Sequence, residues 1–293
     1  MKTVGNDTVD SLTPRMLRPL ALLIALATSA AAAQEPATAP KPRPDALETF
    51  TVNQAVEGIE PPLTENEPVY FVVGTRGGLN ARFQLSFKYR LFDRGLGWGG
   101  ERPWLTGFYL GYTQTTFWNL EDESKPFRDT SYRPSLFWAW ERKDDKTWID
   151  ALRAGYEHES NGKEGPESRS IDILFVRPEW RWDLANGKRL EFAPKLYGYL
   201  DKEENPDIQR YRGYADWQLR YGDETRSWRA TARLGTAGKG SLTLDWFERT
   251  RVLGFGPVSG YVHLQFFAGY GEDILDYDRR FKSQLRLGFA IVP

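Results

Sequence analysis

Arg280-Phe281-Lys282-Ser283-Gln284-Leu285-Arg286-Leu287-Gly288-Phe289-Ala290-Ile291, near the end of the chain, alternates in polarity along its length. Residues two apart share a side of a β-strand. Phe281, Leu285, Leu287, Phe289 and Ile291 therefore fall on one face, and Lys282, Gln284 and Arg286 on the other. A wall with lipid on one side and a polar interior on the other explains both sets. Two earlier stretches repeat the pattern. Val262, Leu264, Phe266 and Ala268 oppose His263 and Gln265, and Trp228, Ala230, Ala232 and Leu234 oppose Arg229, Thr231 and Arg233. A soluble β-sandwich would also alternate, but its solvent face has no need of aromatic residues.

Similar segments recur from Glu67 onward, separated by turn-forming clusters such as Asp93-Arg94-Gly95, Lys143-Asp144-Asp145, Ala185-Asn186-Gly187 and Ala237-Gly238-Lys239-Gly240. This is hairpin spacing, and no helical stretch is expected within it. About twelve segments can be counted, an even number typical of bacterial outer-membrane proteins. The predicted fold is all-β, a twelve-stranded antiparallel transmembrane β-barrel over residues 67–293. Composition agrees: 11 Trp, 14 Tyr and 17 Phe accompany 27% charged residues, as expected when an apolar and a polar face average out. Such barrels commonly end on an aromatic residue. This chain ends Ile291-Val292-Pro293, so its insertion signal is either weaker or supplied by Phe289.

Ahead of the barrel, Arg15 and Arg18 precede an apolar run from Leu20 to Ala27 and the small residues Ala31-Ala32-Ala33. This is the layout of a secretory signal peptide over residues 1–33, with cleavage before Gln34. The run is too short to cross a bilayer as a helix. The polar stretch before Arg15 is long for a targeting segment, which makes Met16 an alternative start. Residues 34–66, rich in Pro, Ala, Glu and Thr, read as a flexible periplasmic lead-in. With 0 cysteines, neither a disulfide framework nor thiol chemistry is available. A net charge of −1 leaves no footprint for nucleic acid.

The residues that suggest chemistry are Tyr156-Glu157-His158-Glu159-Ser160-Asn161-Gly162. By the parity rule Leu152, Ala154, Tyr156, His158 and Ser160 share the apolar, lipid-facing side, and Arg153, Glu157 and Glu159 the other. On the next strand Asp172, Leu174, Val176 and Trp180 oppose Arg177, Glu179 and Arg181, so Asp172 joins the outward set. Three polar residues set against lipid would be costly without a purpose. Serine needs an imidazole to take its proton, and the imidazole needs a partner to fix its tautomer. Ser160 is thus the candidate nucleophile, His158 the base and Asp172 the orienting group. A lone His-x-Ser is more often a histidine hydrogen-bonded at the membrane interface, and it is the shared face that favours catalysis. His263, the other histidine, points to the lumen with no serine partner two residues away and is expected to be structural.

Around these residues the chain resembles the outer-membrane phospholipase A family, calcium-dependent twelve-stranded barrels of Gram-negative bacteria. The resemblance runs from about Phe71 to Ala290. It is carried by Phe83-Gln84-Leu85-Ser86-Phe87, Tyr112-Thr113-Gln114, Pro126-Phe127-Arg128-Asp129-Thr130, His158-x-Ser160-Asn161-Gly162, Asn205-Pro206-Asp207-Ile208 and Gly269-Tyr270-Gly271-Glu272. It implies hydrolysis of acyl esters of membrane glycerophospholipids at both acyl positions and on lysophospholipids, with Ser160 as nucleophile and His158 as base. Asp172 stands where the family usually has asparagine. The resemblance places a catalytic Ca2+ on Ser124, the backbone carbonyl of Lys163 and Ser168, and an oxyanion hole on the N–H of Gly162. A second calcium site of the family uses an aspartate where this chain has Gly165, so that site is expected to be lost or altered. Members act as homodimers in the outer membrane, with the active site toward the outer leaflet, and Gln114 matches a position at the dimer interface. The rival readings are a catalytically silent porin or structural barrel and a secreted soluble lipase.

Overall fold

Alternation along the strands is realised as a closed antiparallel wall in the computed structural model, which describes residues 61–293 except 76–77, 96, 125, 144–146 and 251–259. The signal peptide, the lead-in up to residue 60, and Asp144 and Asp145 of one expected turn lie outside the described residues. The strands are β1 (Leu63–Thr64), β2 (Val69–Gly74), β3 (Asn80–Arg90), β4 (Phe108–Asn119), β5 (Phe127–Glu141), β6 (Ala151–Ser160) and β7 (Ser170–Asp183). They continue as β8 (Arg189–Phe192), β9 (Lys195–Asp201), β10 (Ala215–Gly222), β11 (Arg226–Leu234), β12 (Gly240–Thr250), β13 (Gly260–Tyr270) and β14 (Arg280–Val292). Each pairs antiparallel with its neighbours, β14 returns to β2, and β3 pairs with β4, so the sheet closes.

Fourteen segments make twelve wall strands because two strands are interrupted. β1 and β2 both lie on β3, separated by a stretch that contains Pro68, and β8 and β9 both lie between β7 and β10, separated by Ala193-Pro194. Proline has no N–H to give to a ladder, so a strand breaks or bulges there. Leu63 and Thr64, within the expected lead-in, pair with Tyr89 and Lys88.

The faces follow the parity. Leu285 and Leu287 are each 57% exposed and Arg286 between them 3%. No helix among the described residues is long and apolar enough to cross a membrane. The expectation of no helix needs correcting. Short helical turns occur at Gly97–Glu101 and Gln209–Arg212, with 3-10 turns at Pro103–Gly107 and Gly165–Glu167. Each spans at most about one turn and all lie in loops, too short to leave a helical period in the sequence.

The lumen is filled with ion pairs. Arg133 Nη2 lies 2.6 Å from Glu67 Oε2, Arg212 Nη1 2.8 Å from Glu159 Oε2, and Arg233 Nε 2.8 Å from Asp216 Oδ1. Arg286 holds Glu272 with both side chains almost fully buried. A cavity of about 190 Å³ remains among these groups. His263 is fully buried in this lumen, with Nε2 2.8 Å from Asp245 Oδ1 and its ring stacked on Phe247.

At the end of the barrel that carries the β6–β7 loop, an apolar cluster sits among buried charges. Ile171 and Ile173 of β7 pack there against Ile208 of the β9–β10 loop and Ile274 and Tyr277 of the β13–β14 loop. Both loops fold inward, joined by a 2.6 Å hydrogen bond from the Tyr277 hydroxyl to Asp207. The inward face of β7 is therefore apolar near its start, while Ser170 and Asp172 lie on the outward one.

Asp273, in the same β13–β14 loop, is nearly buried, and burial beside the charges of Asp129 and Asp276 pushes its carboxyl up to about 7. A carboxyl raised in the folded state adds stability that is complete below its unfolded pKa and is lost as pH rises through the folded value. The thermal midpoint is therefore expected to fall as pH is raised from about 5 to 8, and Asp273→Asn to remove that part of the dependence. A wild-type slope unchanged in the variant would show that Asp273 does not titrate in this range.

Candidate active site

β6 and β7 set the site on the outer wall. Register places His158 directly across from Asp172, Ser160 across from Ser170 and Tyr156 across from Leu174. The outward face is confirmed by its apolar members, since Tyr156, Leu174 and Val176 are all exposed. The opposite parity turns Glu157 and Glu159 inward, onto Lys195 and Arg212 respectively.

Directly opposed residues on antiparallel strands bring their side chains into contact. His158 Nδ1 lies 2.8 Å from Asp172 Oδ1. With Asp172 ionised, that edge is the donor, which leaves Nε2 as the basic nitrogen. Ser160 occupies the same strand face two residues further on. Among the described residues no hydrogen bond joins His158 to Ser160, and catalytic contacts often tighten only when substrate is bound.

A fourth group, missed in the sequence, joins the cluster. The Tyr156 hydroxyl donates to Asp172 Oδ1 at 2.5 Å. Tyr156 is the diagonal neighbour of Asp172 across the ladder, within reach of a long aromatic side chain. Its signal was its place in the same outward set as His158 and Ser160.

The loop after Ser160 is stapled by Asn161, another residue whose role the sequence did not reveal. Its Nδ2 donates to the Glu167 carbonyl at 2.8 Å, while Oδ1 accepts from the N–H of Arg169 at 3.0 Å and of Lys163 at 3.3 Å. Gly162 has φ +66°, and a Cβ there would meet the Tyr132 ring at 3.2 Å. Glycine is the residue that takes this conformation without strain. Underneath, Glu159 accepts from Ser131 Oγ at 2.8 Å and from Arg212, which ties the strand end that carries Ser160 to the infolded β9–β10 loop.

For calcium, two of the three expected donors lie on one loop. Lys163 and Ser168 share the β6–β7 loop, and Ser168 Oγ donates to Glu204 Oε1 at 2.8 Å. A carbonyl, a hydroxyl and a nearby carboxylate are hard oxygen donors that suit Ca2+. Ser124 lies in the β4–β5 loop, with no hydrogen bond to the β6–β7 loop among the described residues. Nor do three or more His, Cys, Asp or Glu residues cluster to hold a metal among them. Gly165, at φ +64° in the β6–β7 loop, supplies no carboxylate. Gln114 lies in the outer wall with both ends of its amide engaged: Oε1 accepts from the Tyr112 hydroxyl at 2.9 Å, and Nε2 donates to Thr116 Oγ1 at 3.3 Å.

Comparison with known proteins identifies relatives of the barrel as a whole. The family model for phospholipase A1 matches residues 58–292. Phospholipase A1 of Escherichia coli (strain K12) is 30% identical over 220 residues, which cover 72% of this chain and 68% of that protein. Phospholipase A1 of Proteus vulgaris is 33% identical over 222 residues, covering 72% and 68% respectively. Among solved structures, outer membrane phospholipase A from Escherichia coli superposes with a TM-score of 0.63 at 22% identity, covering 83% of this chain and 95% of that one. A Salmonella typhi outer membrane phospholipase, solved as a dimer with bound calcium, superposes with a TM-score of 0.62 at 24% identity, covering 78% and 91%. At these identities the superpositions establish the shared twelve-stranded barrel.

Proposed function

The chain belongs to the phospholipase A1 family of outer-membrane ester hydrolases, and from that premise we propose that it cleaves acyl esters of membrane glycerophospholipids at an outward-facing Ser160–His158–Asp172 site. The observation that carries this reading is the 2.8 Å pairing of His158 Nδ1 with Asp172 on the lipid-facing wall, beside a serine of the same strand face. An imidazole and a carboxylate paired outside the barrel serve no lumenal purpose, and lipid is the phase in which the substrate lies.

In the proposed reaction Ser160 Oγ attacks the ester carbonyl as His158 Nε2 takes its proton, and Asp172 stabilises the imidazolium that forms. The protonated imidazole then gives its proton to the departing lysophospholipid. An acyl-enzyme is left, which water hydrolyses with His158 again as base. The N–H of Gly162 faces the developing oxyanion. The Lys163 carbonyl and Ser168, with Ser124, would hold Ca2+, which when bound would supply positive field where that charge develops. Glu204, already bonded to Ser168, would bring a carboxylate to that site.

Either acyl position, and lysophospholipids, fit a site open to the bilayer. The site sits at the end of the wall facing the outer leaflet, and two barrels pair through the face bearing Gln114. Residues 1–33 direct export and the following segment leads into a barrel whose wall begins at Leu63 rather than at residue 67.

The test is fatty-acid release from mixed micelles by the purified protein. Calcium chelation is expected to abolish release and readdition to restore it, and Ser168→Ala to raise the calcium concentration needed for half-maximal activity. Full activity in excess chelator would remove the metal from the mechanism. No release at any calcium concentration would remove the hydrolase.

A further inference from the structure

We infer that Tyr156 is a positioning residue for the reaction: its hydroxyl holds the Asp172 carboxylate ionised and aimed at His158. The inference rests on the hydrolase reading of Ser160 and goes beyond it by adding a fourth side chain to the relay.

Asp172 Oδ1 accepts two hydrogen bonds at once, from Tyr156 at 2.5 Å and from His158 at 2.8 Å. The two donors come from adjacent positions on one face of β6, one diagonal and one direct across the ladder. A carboxylate on the outer wall is expensive to keep charged unless donors replace the water it loses. His158 alone is a poor guarantor, because it must give up and regain charge during turnover. The phenol supplies a donor that does not titrate with the reaction, so the acceptor keeps its charge and its direction throughout. A tyrosine on the outer wall is otherwise read as an interfacial anchor, whose ring matters and whose hydroxyl meets headgroups or water. Here the hydroxyl is committed to the carboxylate that orients the base.

Removing the hydroxyl leaves Asp172 more basic and its pull on the imidazolium stronger. Both effects move protonation of the relay to higher pH. Tyr156→Phe keeps the ring and the outward apolar surface, so barrel folding is expected to be unaffected, as read by heat-modifiable migration. With calcium saturating, kcat is expected to fall roughly ten-fold, the scale of one hydrogen bond to a charged group, with KM within about two-fold of wild type. The acidic limb of the pH profile is expected to shift upward. In an Asp172→Ala background the same substitution is expected to change kcat by less than about two-fold, since groups acting through one another are non-additive.

Three results overturn the inference while leaving the hydrolase intact: a Tyr156→Phe enzyme with wild-type kcat and pH profile, a loss confined to KM, or a full additional loss in the Asp172→Ala background. Failure of the underlying reading is separately visible, since Ser160→Ala would then retain hydrolysis whatever Tyr156 does.

Discussion

Ser160→Ala is expected to lower kcat for phospholipid hydrolysis by on the order of 10⁴-fold or more, with the barrel still folded. The magnitude follows from how a relay works. Once the nucleophile is gone, the base and its orienting carboxylate have nothing to activate, and only residual stabilisation by oxyanion donors and binding remains. The position tolerates the change, because Ser160 lies on the outer wall at a strand end, where losing a hydroxyl opens no cavity. Fatty-acid release from mixed micelles, with heat-modifiable migration as the check on folding, measures both. Hydrolysis within ten-fold of wild type would remove Ser160 from the reaction, and the outward His158–Asp172 pair would then be only a polar contact at the membrane surface.

Glu159→Ala is expected to be the most damaging single change to stability near the site. Glu159 is buried, accepts from Ser131 and pairs with Arg212, whose side chain is also nearly inaccessible. Removing one partner of a buried pair strands the other charge, at a typical cost of about 3–5 kcal/mol. Activity should fall as well, because this pair fixes the strand end that carries Ser160 to the β9–β10 loop. The pH profile of the remaining activity should keep its shape, since Glu159 faces the lumen and not the reaction. A drop of less than about 1 kcal/mol in unfolding free energy in denaturant would show that Arg212 finds another partner.

Much of this architecture could be read from local pattern. Parity alone placed His158, Ser160 and Asp172 on one outward face, because side chains alternate strictly along a strand and lipid demands an apolar wall. The same rule put Arg286 and His263 inside. What could not be read depends on contacts between distant segments. Glu159 meets Arg212 across 53 residues and Tyr277 meets Asp207 across 70, and no periodicity announces such pairs. The apolar plug formed by Ile208 and Ile274 sits in loops, where sequence gives turn chemistry but not destination. The breaks at Pro68 and Pro194 were visible as prolines but not as strands that resume beyond them. The bond from Tyr156 to Asp172 escaped because a diagonal contact depends on register, and register was fixed only once the hairpin was built.

The way the bore is filled settles what a membrane gains from this barrel. Arginine–carboxylate pairs occupy the described interior, and loop residues fold in at one end to form an apolar cluster. What the membrane gains is a wall stiffened from within, its outward face around His158 and Asp172 resting on a filled core.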